Sequence, residues 1–321
     1  MLKKIFLNLE SYLNKIYNRK LEKSLLELEK IDPSFSINFV DVGAAEDIHP
    51  RWKRVLKYIN YFGFEPDKRS SELLQKNDSC KSYNIFPIAL WEKTQKLDIN
   101  LTKEPRVSSS YQPNYDFLNK FKDSERFKII KTLEVESVDL DSLEILDIDF
   151  IKIDVQGGEL DILNGSRNSL ERCLGLELEV EFLTLYKGQP LFGDLQKQLI
   201  NYGFEFIDFV NLCRWERDNF NGFGQCVFGD AFFLKSPEFV IKLGKKKLLS
   251  RYLSILLLYR RFDLIDRFFS LLDNKINKEF EFFKKSLKHH RKRFNYLKLC
   301  SRIFNGLVRL NSSDNKIFTH Y

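Results

Sequence analysis

Between residues 31 and 235 the hydrophobic pattern repeats one unit three times. Ile37-Asn38-Phe39-Val40-Asp41-Val42 is a short apolar run closing on an acid, with Gly43 behind it. Tyr61-Phe62-Gly63-Phe64-Glu65 repeats the design, and Phe150-Ile151-Lys152-Ile153-Asp154 repeats it again ahead of Gly157-Gly158. Near-continuous runs of β-branched and aromatic residues predict strands of a parallel sheet covered on both faces. After Gly158 the period becomes helical (Leu160, Ile162, Leu163), Glu159 and Asp161 fall in the first turn where the helix dipole favours acids, and Gly165 is a stop.

The remaining pattern fills in the unit. Pro50 opens a helix to about Ile59, a second helix is expected near 67–76, and Tyr83–Leu90 predicts a strand that Lys96–Leu101 joins as a hairpin. Residues 102–114 are the longest loop, which in a compact domain suggests a lid or a binding loop. Lys128–Val138 reads as a strand and Leu140–Leu146 as a short helix. Leu174–Phe182 alternates strictly, so Glu177, Glu179 and Glu181 share the face opposite its apolar residues. Leu191–Tyr202 is a helix stopped by Gly203, and Glu205–Val210 with Asp230–Lys235 makes a closing strand pair around an insertion at Arg214–Gly224. Met1–Glu29 is broadly helical, Ile31-Asp32-Pro33-Ser34 breaks it, and Lys242–Leu310 is helical throughout. The chain therefore divides into an N-terminal amphipathic helix (1–30), an α/β doubly wound domain (31–235) and a helical extension (236–321).

Composition changes this picture in two places. Residues 236–321 hold 20 Lys and Arg against 7 Asp and Glu, a net +13 that leaves −6 for residues 1–235 of the +7 total. A basic extension on an acidic body suits either an anionic membrane surface or a solvated helical face, and Lys284–Arg293, with His289 and His290, is its densest part. Homodimerisation through these helices is the other expected contact, and nucleic acid is not expected. The five cysteines are scattered with no C-x-x-C, so no disulfide framework or zinc site is indicated and a cytoplasmic setting fits, at most peripheral at the inner face of the membrane. No metal is expected.

Ligands of open α/β sheets bind at the carboxyl ends of the strands, where Asp41, Glu65 and Asp154 fall. Glu65 lies 24 positions after Asp41, close to the spacing that sets a carboxylate on ribose hydroxyls. Asp154 alone could equally cap the next helix. The absence of G-x-G-x-x-G after the first strand argues against a nicotinamide-dependent oxidoreductase.

Asp41-Val-Gly43-Ala44, Gly63-Phe-Glu65-Pro66-Asp67 and Ile151-Lys-Ile-Asp154-Val-Gln-Gly157-Gly-Glu159 resemble the signature segments of the FkbM family, and the resemblance extends through Leu191-Phe192 to Asp230-Ala-Phe-Phe-Leu-Lys235. Where many members carry a second glycine in the first loop, this chain has Ala45-Glu46-Asp47. The resemblance implies a class I, Rossmann-like methyltransferase with a seven-stranded, mostly parallel sheet and an antiparallel last strand, using S-adenosylmethionine. It implies a cofactor cradle of Asp41, Gly43, Ala44, Glu65, Pro66, Ile88, Ala89 and Asp154. O-methylation of a sugar hydroxyl, on a glycan or a related small molecule, is the expected reaction. Proton acceptors for it are Asp154, Glu179 and His49, with Glu159 a further candidate; the bland alternatives are a surface histidine, a solvated face for Glu177, Glu179 and Glu181, and helix stabilisation by Glu159. Arg51, Arg106, Lys187 and Gln189 are candidate acceptor contacts. The competing function is a binding or scaffold protein with a decayed methyltransferase core.

Overall fold

The structure, a computed structural model, describes residues 20–45, 48–67, 77–217 and 224–287. The expected helix at 67–76, the first part of the N-terminal helix, the Glu46-Asp47 pair and the basic cluster beyond 287 lie outside the described residues.

Ten strands are described: β1 (Ile37–Val42), β2 (Ile59–Phe64), β3 (Ser82–Phe86), β4 (Ala89–Leu90), β5 (Gln95–Thr102), β6 (Ile129–Val138), β7 (Phe150–Ile153), β8 (Gly175–Glu181), β9 (Phe204–Trp215) and β10 (Gln225–Lys235). Seven form one sheet in the order β3-β2-β1-β7-β8-β10-β9. Its first five strands run parallel, and β10 is antiparallel to both neighbours. Reversal of strand order on either side of β1 makes the sheet doubly wound, with the carboxyl ends of β2, β1, β7 and β8 on one rim. The expected class I methyltransferase-like architecture is present.

Local chemistry explains most departures from the expected elements. Pro87 has no amide hydrogen for a ladder, so the predicted strand 83–90 splits into β3 and the two-residue β4. The predicted hairpin with 96–101 does not form. Instead β5 pairs antiparallel with β6, β4 adds to the other edge of β6, and the three make a separate small sheet. The segment after Pro50 is a kinked 3-10 helix (Trp52–Tyr58), and only Leu140–Ser142 of the expected 140–146 helix forms, started by the Asp139 side chain accepting from the Ser142 amide.

Period-two alternation sends the sheet's side chains to two cores. Val40, Val42, Ile151, Ile153, Leu176, Leu178 and Val180 face the Glu159–Asn164, Arg167–Arg172 and Phe192–Asn201 helices through Ile162, Leu163, Leu170, Leu195 and Leu199. Ile37, Phe39, Tyr61, Phe150 and Phe232 face the other way, and both chain-terminal segments cover them. Leu21, Leu25 and Leu28 come from the helical segment 20–31, and Tyr252, Ile255, Leu256, Phe268 and Phe283 from the C-terminal helices. The latter begin at Ser236, whose hydroxyl caps the Phe239 amide with Pro237 in the first turn. Ser24 and Ser286 hydroxyls meet at 2.7 Å, joining the two segments. At about 1.5–3 kcal/mol per fully buried large apolar side chain, this shared core holds the C-terminal helices to the sheet far more firmly than surface charge would. No described helix is long and apolar enough to cross a membrane.

Candidate active site

The face that buries Phe39, Phe150 and Phe232 turns polar towards the rim, because the next residues of the same alternation are Asp41, Lys152 and Asp154, and Glu177 and Glu179. Strand register sets Asp41, Lys152 and Glu177 side by side on β1, β7 and β8. Lys152 Nζ lies 3.7 Å from Asp41 Oδ1 and 3.3 Å from Asp154 Oδ2. The Tyr61 hydroxyl donates to Asp41 Oδ2 at 2.9 Å, and Arg51 Nη1 donates to Glu177 Oε2 at 2.6 Å. A belt of alternating charge thus crosses the sheet just below its carboxyl ends.

Gly43 closes the first loop against the third. Its φ is +79°, and a Cβ there would lie 2.0 Å from the Asp154 carbonyl oxygen, so any other residue would drive the β1 and β7 loops apart. The Gly43 and Ala44 amides both donate to the Phe64 carbonyl, which draws the first loop onto the end of β2, and the Asp154 amide donates to Val42. Glu65 follows β2 on the same rim, buried, with Oε1 accepting from the Asp67 amide and half-buried Pro66 between them. Ala89 is buried in the short ladder with β6, and Ile88 packs against the second core.

Asp154 and Glu179 are brought together at the rim, bridged by Gln156 Nε2. Burial raises the Glu179 carboxyl well above the usual range, and the neighbouring charge of Asp154 raises it further. Burial works against Asp154 too, but the Lys152 ammonium and hydrogen bonds from Glu179, Gln156 and Lys152 bring it down to about 2. Asp154 is the exposed member of the pair, its side chain 37% accessible. Gln156, held at φ +62°, donates to both carboxyls. β8 alternates as expected, but its acidic face is not solvated: Glu177, Glu179 and Glu181 are 3%, 7% and 1% exposed. The missed member is Asp230, which pairs with Glu179 across β8 and β10 and is pushed by burial, and by the charges of Glu177 and Asp154, up to about 7. Its signal was its place in Asp230-Ala-Phe232, on the same face as Phe232.

His49 stands on the other side of the belt, facing Glu177, Arg51 and Lys152; burial lowers it to about 4, leaving it neutral, with Nδ1 accepting from the Arg51 amide at 3.3 Å. Glu159 does not face the rim. It is wholly buried, and its two oxygens accept the Val155 and Gly157 amides at 3.0 Å each, so it latches the loop that carries Asp154. The long 102–114 loop is tied down above that latch. Ser109 Oγ donates to the Gln156 carbonyl at 2.6 Å, the Tyr111 hydroxyl to Asp161 at 2.7 Å, and the Tyr186 hydroxyl bridges Val107 and Gln156. It forms a wall beside Asp154. Among the described residues no group of His, Cys, Asp and Glu is arranged to hold a metal ion.

A doubly wound sheet of this strand order, with acids on the ends of β1, β2 and β7 and a glycine pressed between two of those ends, defines a class I methyltransferase-like protein. The Methyltransferase FkbM domain matches residues 41–206, just over half of the chain, and the chain belongs to that family. No curated protein sequence matches it. Among solved structures it is similar to the FkbM methyltransferase of Methylobacillus flagellatus KT, with 15% identity and a TM-score of 0.38 over 62% of this chain and 43% of that one. It is also similar to Streptococcus pneumoniae Sp1610, a candidate tRNA (m1A22) methyltransferase, with 11% identity and a TM-score of 0.30 over 83% of this chain and 96% of that one. The chain thus spans less than half the length of the first of these.

Proposed function

We propose that this protein transfers a methyl group from S-adenosylmethionine to a hydroxyl of a sugar or a related small polyol. The observation that carries the reading is the placement of Asp41, Glu65 and Asp154 on the carboxyl ends of three adjacent strands, two of them joined through Lys152. Asp41 Oδ1 is buried, accepts no hydrogen bond among the described residues and lies 3.7 Å from Lys152 Nζ, so β1 ends on a carboxylate held by the belt's ammonium. These residues fit the cofactor. Glu65 would hold the ribose hydroxyls, Asp41 and Asp154 the cationic methionine end, and Pro66, Ile88 and Ala89 the adenine. When bound, S-adenosylmethionine supplies an electrophilic methyl on a sulfonium.

The chain's own work is to orient the acceptor and take its proton. Asp230, near 7, is poised for that proton transfer. Burial and the charge of Asp154 raise Glu179 well above the usual carboxylate range, which favours its acid form and makes it the weaker candidate for a proton acceptor. His49 is neutral at the Arg51 end of the belt, but its Nδ1 already accepts the Arg51 amide, so its Nε2 is left as a donor that can orient an acceptor oxygen. A phosphorylated acceptor would set further negative charge beside the ionised Asp154 and beside Asp230, which favours a neutral one. Titration calorimetry tests the reading. The wild type should bind S-adenosylmethionine, and Glu65→Gln should weaken it at least about tenfold, the scale of a lost bidentate charged hydrogen bond. A folded wild type that shows no heat with the cofactor would leave the scaffold function in its place.

A further inference from the structure

We infer that Tyr259, from the C-terminal helices, is a positioning residue of this site, setting the Arg51–Glu177 pair against the belt that holds Asp41, Lys152 and Asp154. The inference rests on the methyltransferase reading and extends it to a segment outside the residues matched to the family.

Tyr259 follows the Lys246–Leu258 helix and lies where the aromatic half of the sheet face meets its charged half. Its ring stacks on Phe232 at 3.8 Å with 7° between planes, stacks on Phe150 at 5.5 Å with 26° between planes and meets Trp52 edge-on at 6.3 Å. Three elements of the sheet side therefore fix the ring in place. Its hydroxyl donates to Glu177 Oε2, the same oxygen that Arg51 Nη1 reaches, and the Arg51 guanidinium sits 4.4 Å over the ring. Arg51 is thus clamped from two sides, in plane by Glu177 and face-on by the ring.

Glu177 is the register neighbour of Lys152, so a change in its orientation is felt by the ammonium that Asp41 and Asp154 share. Arg51 leads into the Trp52–Tyr58 segment two residues after His49, so the clamp also fixes the backbone that returns from the first loop. Through Tyr259 the C-terminal helices meet the belt. Tyr252, on the same helix, is buried and donates to the Lys235 carbonyl at 2.7 Å, at the end of β10 and five residues beyond Asp230.

That contrast supplies the experiment. Tyr259→Phe keeps the stacked ring and removes the donor to Glu177; Tyr252→Phe removes one buried hydroxyl donor from the same helix without reaching the belt. Both variants should fold, with wild-type near-ultraviolet circular dichroism and similar small losses in Tm. Calorimetry with S-adenosylmethionine should show about a tenfold rise in Kd for Tyr259→Phe, the size expected for a lost hydrogen bond to a charged group, and none for Tyr252→Phe. Arg51→Lys, which keeps the charge and loses the fork, should weaken binding comparably, and the double variant should be no weaker than either single one. Cofactor binding that Glu65→Gln abolishes and Tyr259→Phe leaves untouched overturns this inference alone. Equal losses of cofactor affinity from Tyr259→Phe and Tyr252→Phe also overturn it, by showing a structural role only. A wild type that binds no cofactor overturns it together with the methyltransferase reading.

Discussion

Lys152→Met is the sharpest perturbation of the belt, because it removes the cation shared by two carboxylates and keeps the buried stem. At an effective dielectric of 20, the separations of 3.3 Å to Asp154 and 3.7 Å to Asp41 correspond to about 5 and about 4 kcal/mol of attraction. Three effects reduce the net cost. Asp154 is more than one-third exposed and partly screened by water. Met does not need the solvation that buried Lys152 gives up. Asp41, already raised by burial with only Lys152 and Tyr61 holding it down, can take up a proton in the variant. A loss of about 3 kcal/mol at pH 7 is the expected balance, at the lower end of what stripping one partner from a buried pair produces. The pH dependence follows from Asp154. Its folded value of about 2 lies below its ordinary 3.8, so the stability it contributes is present above about pH 4 and fades as pH falls towards 2. Urea unfolding followed by tryptophan emission, at pH 7 and again near pH 3, should show a gap between wild type and variant that narrows on acidification. A gap below about 0.5 kcal/mol at pH 7, or one that widens in acid, would refute the belt as an electrostatic unit.

Two further outcomes test the loops that the belt supports. Gly43→Ala should cost about 2 kcal/mol or more, since it adds left-handed strain to a contact that already has no room for a Cβ, and should abolish cofactor binding; a Tm within about 2 °C of wild type would contradict the geometry. Glu159→Gln can accept only one of the two loop amides and should destabilise the protein at pH 5. Because burial raises Glu159 to about 7, above its ordinary 4.5, the stability linked to its protonation is complete below about pH 4.5 and lost as pH rises through 7. The variant's stability should therefore fall less steeply than the wild type's between pH 5 and 8, and an unchanged slope would assign the titration to other groups.

What the sequence showed, and what it hid, follows one physical distinction. β1, β2 and β7 were legible because each is a local apolar run with an acid and a glycine at its end. Gly203, at φ +75°, and Gly165 were legible as stops for the same local reason. Pairing was not legible: β5 has no local cue that its partner is β6, and Pro87 hid the end of β3 inside what read as one strand. The period of β8 showed that Glu177, Glu179 and Glu181 share a face, but period is blind to what covers that face. Burial of those glutamates depends on partners such as Arg51, 126 residues earlier, and Tyr259, 82 residues later. Glu159 gave a helix-start signal that was sound, while its engagement of two loop amides needed the loop's conformation.

The aromatic face of the sheet has a consequence for synthesis. Its covering comes from segments at 20–31 and 246–287, so strands β1 to β10 leave the ribosome before the second half of their roof exists. Until those helices emerge, the 20–31 segment and Trp52 cover only part of that face, and the growing chain is a sticky intermediate in need of a chaperone or of speed. The helices of residues 246–287 are the ones that complete the cover over a half-sheltered sheet.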